Sequence, residues 1–141
     1  MTPEQFQALY ANRASVVDDA LRKGTRAVLL SVEKEAVKNL SGSGEAGSYP
    51  IPIRTRRENG RTVTGGNLRA SMGVRAESNI SGYVFNRARY AHAVHTTGFR
   101  AYGNPNAPFY RPRPFLDNAV AAVDLEEVFT RRVMKRIRDG K

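Results

Sequence analysis

The chain contains no cysteine, which excludes disulfides and thiolate metal sites and removes one common nucleophile. It contains no tryptophan either. No apolar run approaches the roughly 20 residues that a membrane-crossing helix needs, so no membrane partner is expected. The first ten residues lack the apolar stretch of a secretory signal, and synthesis in a cytoplasm is the expectation. Acidic residues are scarce, and between positions 78 and 116 there are none. So few carboxylates and only two histidines leave little material for acid–base chemistry. No catalysis and no cofactor are expected.

What is present is basic. The net charge is +10 over 141 residues, a length that suits one domain with a modest core. Residues 41–123 hold eleven basic residues against four acidic ones, and all eleven are arginine. Every lysine lies in the flanking segments. Arginine keeps its charge at an interface and grips phosphate or carboxylate with a planar fork. A polyanionic neighbour is one reading of this excess, and solubility is the other.

Apolar residues at three- and four-residue spacing predict a long amphipathic helix over residues 1–40. They are Phe6, Leu9, Tyr10, Val16, Val17, Ala20, Leu21, Val28, Leu29, Val32, Ala36 and Leu40. Thr2, Pro3 and Glu4 form a plausible start, and Gly24 is its weak point, a site for a bend. Residues 41–48 are glycine- and serine-rich and predict a flexible linker. Residues 49–113 hold the expected sheet and loops. Pro50 and Pro52 limit their segment to an edge strand. Asn59-Gly60 is a favoured hairpin turn, flanked by Arg54, Arg56, Arg57 and Arg61. These four arginines are either a solvated loop tip or a phosphate contact.

A hairpin is predicted over residues 72–86, where Met72, Val74 and Ala76 alternate with polar or small residues and Tyr83, Val84 and Phe85 follow. It is expected at the centre of the sheet. His92 and His95 are three apart but lack a third ligand, so metal binding is not expected. Residues 97–112 form a long irregular segment in which Phe99, Arg100, Tyr102, Phe109, Tyr110 and Arg111 mix with proline and glycine. Such residues stack on bases or anchor a neighbouring subunit, and the subunit contact is preferred here. Residues 114–138 predict one C-terminal helix opened by Pro114, with Phe115, Leu116, Ala119, Val120, Val123, Val128, Phe129 and Val133 inward. The fold class is therefore α+β: one domain over residues 1–141, a small twisted antiparallel sheet packed by a long N-terminal helix and a C-terminal helix, with long loops.

Three short signatures follow one another within this plan: Thr64, Gly65, Leu68, Arg69 and Ser71; then Tyr90, Ala91, Val94 and Gly98; then Arg113, Pro114, Phe115, Leu116 and Ala119. The first is glycine-rich but lacks the Lys-Ser/Thr ending of a nucleotide loop. Their order resembles the neck or tail-completion proteins that join head to tail in long-tailed bacteriophages. The family pattern there is Thr-Gly-x-Leu-Arg-x-Ser, a hairpin, Tyr-Ala-x-x-Val-Glu-x-Gly-Thr and Arg-Pro-Phe-Leu-x-x-Ala. This chain departs from it by one inserted residue at Gly66-Asn67, by His95 in place of the glutamate, and by the order Thr97-Gly98.

The resemblance covers about half the chain. It implies a virion protein, made in the host cytoplasm, that assembles as a ring of identical subunits at the head–tail junction. A hexamer is expected, with a dodecamer as the rival. The implied neighbours are connector or head-closure proteins on one side and tail terminator or tail tube proteins on the other. Double-stranded DNA would pass through the lumen without sequence-specific contact, and Arg54, Arg56, Arg57 and Arg61 are the candidates to line it. The competing expectation is a free basic nucleic-acid-binding protein.

Overall fold

The computed structural model describes residues 1–40, 55–59, 61–64, 67–98, 100, 105–106, 109 and 111–140, with the backbone alone at 55–58, 61–64 and 67. The predicted linker 41–48, the Pro50/Pro52 segment and Gly60 lie outside the described residues. The elements follow in the order α1 (Pro3–Asn39), β1 (Thr55–Glu58), β2 (Arg61–Thr64), α2 (Asn67–Ala70), β3 (Met72–Ala76), β4 (Gly82–Asn86), a π-helical turn (Ala93–Thr97), α3 (Phe115–Ala122) and α4 (Leu125–Asp139). The fold is α+β, as expected.

Helix α1 begins with a reciprocal cap. The Gln5 amide donates to Thr2 Oγ1 at 3.2 Å, and the Thr2 amide donates to Gln5 Oε1 at 2.9 Å. The strands make two separate two-stranded sheets, β1–β2 and β3–β4, among the described residues. The hairpin over 72–86 thus forms where its alternation predicts, but it is not the centre of a larger sheet. In β1–β2 the register sets Thr55 opposite Thr64 and Glu58 opposite Arg61. Asn59 sits at φ 48°, the left-handed conformation that an Asn-Gly turn requires.

The predicted single helix over 114–138 is two. Val123 is extended (φ −97°, ψ 127°), and Asp124 caps α4 by accepting from the Glu127 amide at 2.9 Å. The acidic cluster Asp124, Glu126 and Glu127 is therefore a helix start rather than the middle of a helix. Val120, expected inside, is 48% exposed, and no residue of α4 is fully buried.

The chain divides into two compact units. The first comprises Met1–Ser31, Val74–Tyr83 and Asp124–Lys141. In it α4 lies against α1 at Gly24, where a Cβ would come within 2.7 Å of Val133 Cγ2 and 2.8 Å of the Phe129 ring. Gly24, expected as a site for a bend, is a site of close helix approach within a continuous helix. Thr25, buried beside it, donates its hydroxyl to the Asn79 carbonyl at 2.6 Å, and Asn79 Nδ2 donates to Asp18. Arg136 of α4 donates to Asp19, which also lies 3.5 Å from Lys23.

The second unit comprises Val32–Gly73 and Val84–Val123. Its core is one cluster of Val32, Ala36, Leu40, Leu68, Ala91, Val94, Phe115 and Ala119. The helix propensity of α1 does not decide which of its residues are inside; packing does. Val32, Ala36 and Leu40 are buried here, whereas Phe6, Leu9, Tyr10 and Val17 are exposed although they too recur at three- and four-residue spacing.

Two outcomes test the first unit. Gly24→Val gains little helix propensity and forces apart the α1–α4 contact, so it should destabilise the protein by about 1–3 kcal/mol in denaturant melts. The Arg136 hydrogen bond to Asp19 holds the Asp19 carboxyl below its ordinary value. A depressed carboxylate stabilises the fold above its unfolded value, and that contribution is lost as pH falls through the folded one. The melting temperature of Asp19→Asn should therefore be lower than wild type near neutrality and fall less steeply below about pH 4.

Candidate assembly and nucleic-acid interfaces

The three signatures, remote in sequence, supply most of one core. Leu68 from the first is 2% exposed, Val94 from the second 3%, and Phe115 from the third 1%. Ala91 and Ala119 are buried with them. Backbone bonds tie the pieces together. The Arg113 amide donates to the Val94 carbonyl at 2.6 Å, and the Arg87 amide to the Ser71 carbonyl at 2.9 Å. Asn86 Nδ2 donates to the Leu68 carbonyl at 2.7 Å, and Asn39 Nδ2 to the Phe115 carbonyl at 3.2 Å. Arg69 is exposed, Tyr90 and Leu116 are half-buried, and Gly65 lies outside the described residues. Thr64 closes strand β2.

The second signature folds in a way its spacing did not reveal. Tyr90 and Val94 do form a helical turn, since the Val94 amide donates to the Tyr90 carbonyl at 3.1 Å. The chain then widens into a π-helical turn, closed by the Gly98 amide on the Ala93 carbonyl at 2.8 Å. Gly98 holds φ 72° and is buried, a backbone state that strains other residues. This accounts for Thr97-Gly98 as the exit from the turn.

His95 faces the third signature. Its ring meets Phe115 edge-on, with centroids 5.2 Å apart. Its Nε2 is buried without a hydrogen-bond partner and lies 3.7 Å from Asp117 Oδ1, within ion-pair reach once the ring is protonated. Arg113 Nη1 is also buried and unpartnered. The nearness of His95 to Asp117 is invisible in sequence, where 22 positions separate them. His92 is exposed, and among the described residues no group of three or more His, Asp or Glu is placed to hold a metal.

The arginine-tipped hairpin forms as β1–β2, with Arg56 opposite Val63, Arg57 opposite Thr62 and Arg61 opposite Glu58. Arg54 lies outside the described residues. So do Phe99, Tyr102 and Tyr110 of the aromatic segment. Of its remaining members, Arg100 stands over the Phe109 ring at 5.9 Å, and both are exposed, as is Arg111. Arg100 and Phe109 thus contact each other across the loop. Arg87 packs over Phe85 at 5.2 Å, and Arg87 and Arg89 are exposed. Exposed arginine with no carboxylate between positions 78 and 116 gives this part of the second unit a positive surface.

Among the described residues no helix is long and apolar enough to cross a membrane. Compared with protein-family models, curated proteins and solved structures, the chain matches none.

Phe115 should carry the second unit. Phe115→Ala should cost about 3–5 kcal/mol in denaturant unfolding. Phe115→Asp should abolish cooperative unfolding, because it buries a carboxylate in an apolar cluster.

Proposed function

We propose that this chain is a structural virion protein of the head–tail junction of a long-tailed phage. It assembles there as a ring of identical copies, joins the connector to the tail and lets genomic DNA pass. The observation that carries this reading is the meeting of the three signatures in one core, through Leu68, Val94 and Phe115. The resemblance rests on those signatures. Their joint burial gives them a common structural task in this chain.

The loops leaving this core then serve assembly and passage. The β1–β2 hairpin brings Arg56, Arg57 and Arg61 together on two short paired strands. Such a hairpin suits a lumen that tolerates a dense row of phosphates without reading sequence. The Arg100–Phe109 pair and Arg111 offer the mixed aromatic and cationic surface common at subunit contacts. His95 in place of the family glutamate changes the charge beside α3, so any contact made by that glutamate is replaced in this chain.

A free nucleic-acid-binding protein is the second reading, supported by the exposed Arg87, Arg89 and Arg111. Tight, sequence-preferring duplex binding by the isolated chain would favour it over the first. The head–tail reading predicts that particles made without the chain lack tails or lose DNA. It also predicts that replacing Arg54, Arg56, Arg57 and Arg61 with Ser leaves the melt unchanged but impairs DNA retention or passage. Normal tailed, infectious particles without the chain would overturn it.

A further inference from the structure

The π-helical turn and the start of α3 form the base of segment 99–112. The segment leaves the turn at Gly98 and returns at Arg113, whose amide bonds the Val94 carbonyl. Two buried nitrogens at this base have no hydrogen-bond partner: His95 Nε2 and Arg113 Nη1. A buried polar atom left unpaired costs free energy, so a nearby group able to complete the bond matters.

His95 has such a group. Its side chain is 19% exposed, its ring meets Phe115 edge-on, and its Nδ1 lies 3.0 Å from Thr96 Oγ1. The other nitrogen, Nε2, lies 3.7 Å from Asp117 Oδ1. That is about 1 Å longer than a charge-assisted hydrogen bond. Asp117 stands in the first turn of α3 and is 77% exposed, so its carboxylate has room to close the difference. Beside a neutral imidazole the carboxylate keeps its water. In the imidazolium both nitrogens are donors, one toward Thr96 and one toward Asp117.

Few charges bear on this choice. Asp117 comes from α3 and Arg113 from the segment before it. Helices α1 and α2 and the β3–β4 hairpin present apolar residues to this core, and Asn39, which bonds the Phe115 carbonyl, is neutral. His92, just before the turn, is exposed. Arg113 and the positive end of α3 disfavour a second cation, and Asp117, nearest the ring, opposes both.

We propose that His95 and Asp117 form a proton-operated clamp at the base of segment 99–112. When His95 takes up a proton, its Nε2–H bonds Asp117 and ties the π-helical turn to the start of α3. When the proton leaves, the tie opens. Histidine is the side chain whose charge ordinarily changes between about pH 5 and 8. The protonated form gains the contact, so its contribution to stability is full at acid pH and is lost as pH rises through that range. The clamp belongs to the isolated chain and does not depend on the head–tail reading.

The chain has two histidines, so two ring signals in NMR titrations of the full chain report the proton directly. His95 should keep its proton to higher pH in wild type than in Asp117→Asn, and the exposed His92 should titrate alike in both. Denaturant melts of wild type, His95→Gln, Asp117→Asn and the double variant give the coupling between the two positions, and the effect of Asp117 on the α3 dipole cancels in that cycle. The coupling should be about two- to fivefold in the unfolding equilibrium at about pH 5.5 and absent at about pH 8. If His95→Gln does not fold, the titrations of wild type and Asp117→Asn decide alone. Identical titration of His95 in those two proteins would overturn the proposal. So would a coupling that is the same at both pH values.

Discussion

The second unit depends on the burial of one side chain. Phe115 opens helix α3, is nearly inaccessible to solvent, and touches or ties each neighbouring segment. Its ring receives the edge of His95, its carbonyl accepts from Asn39 of α1, and its amide donates to Arg113. Arg113 in turn bonds Val94. A phenyl ring set where the chain turns into a helix fixes the path of what comes before and after it. The π-helical turn, the entry to α3 and the last turns of α1 therefore form one packing problem with one solution.

Much of this was legible in the chain. The bounds of α1 came within two residues, because Thr2, Pro3 and apolar residues at three- and four-residue spacing mark a helix strongly. The hairpin at 72–86, the turn at Asn59 and the burial of Phe115 were also readable from alternation, turn chemistry and helix periodicity. The break before α4 was not read, although Asp124 and Glu127 stand at capping distance. Apolar residues on either side kept the helical period, and that period masked the cap. The exposed start of α1 was missed for a different reason. Periodicity says which face is apolar, but not what covers it.

The candidate site was less legible than the fold. His95 looked isolated because its carboxylate, Asp117, is remote in sequence and is brought close only by the Phe115 core. The β1–β2 hairpin was found from Asn59 and the arginines around it, since turn chemistry is local. Pairing between Arg100 and Phe109 could not be read, because a loop with several prolines and glycines has no periodicity to follow. Arginine excess, by contrast, is a property of composition. It points to a polyanion or to solubility without choosing between them.

The central claim is that the three signatures build one module whose place is the head–tail junction. An electron cryomicroscopy reconstruction of the junction in tailed particles containing this chain tests it most directly. The account predicts a closed ring of identical copies around the DNA path, each with Leu68, Val94 and Phe115 packed together inside it. Particles whose junction contains no copy of the chain would contradict it.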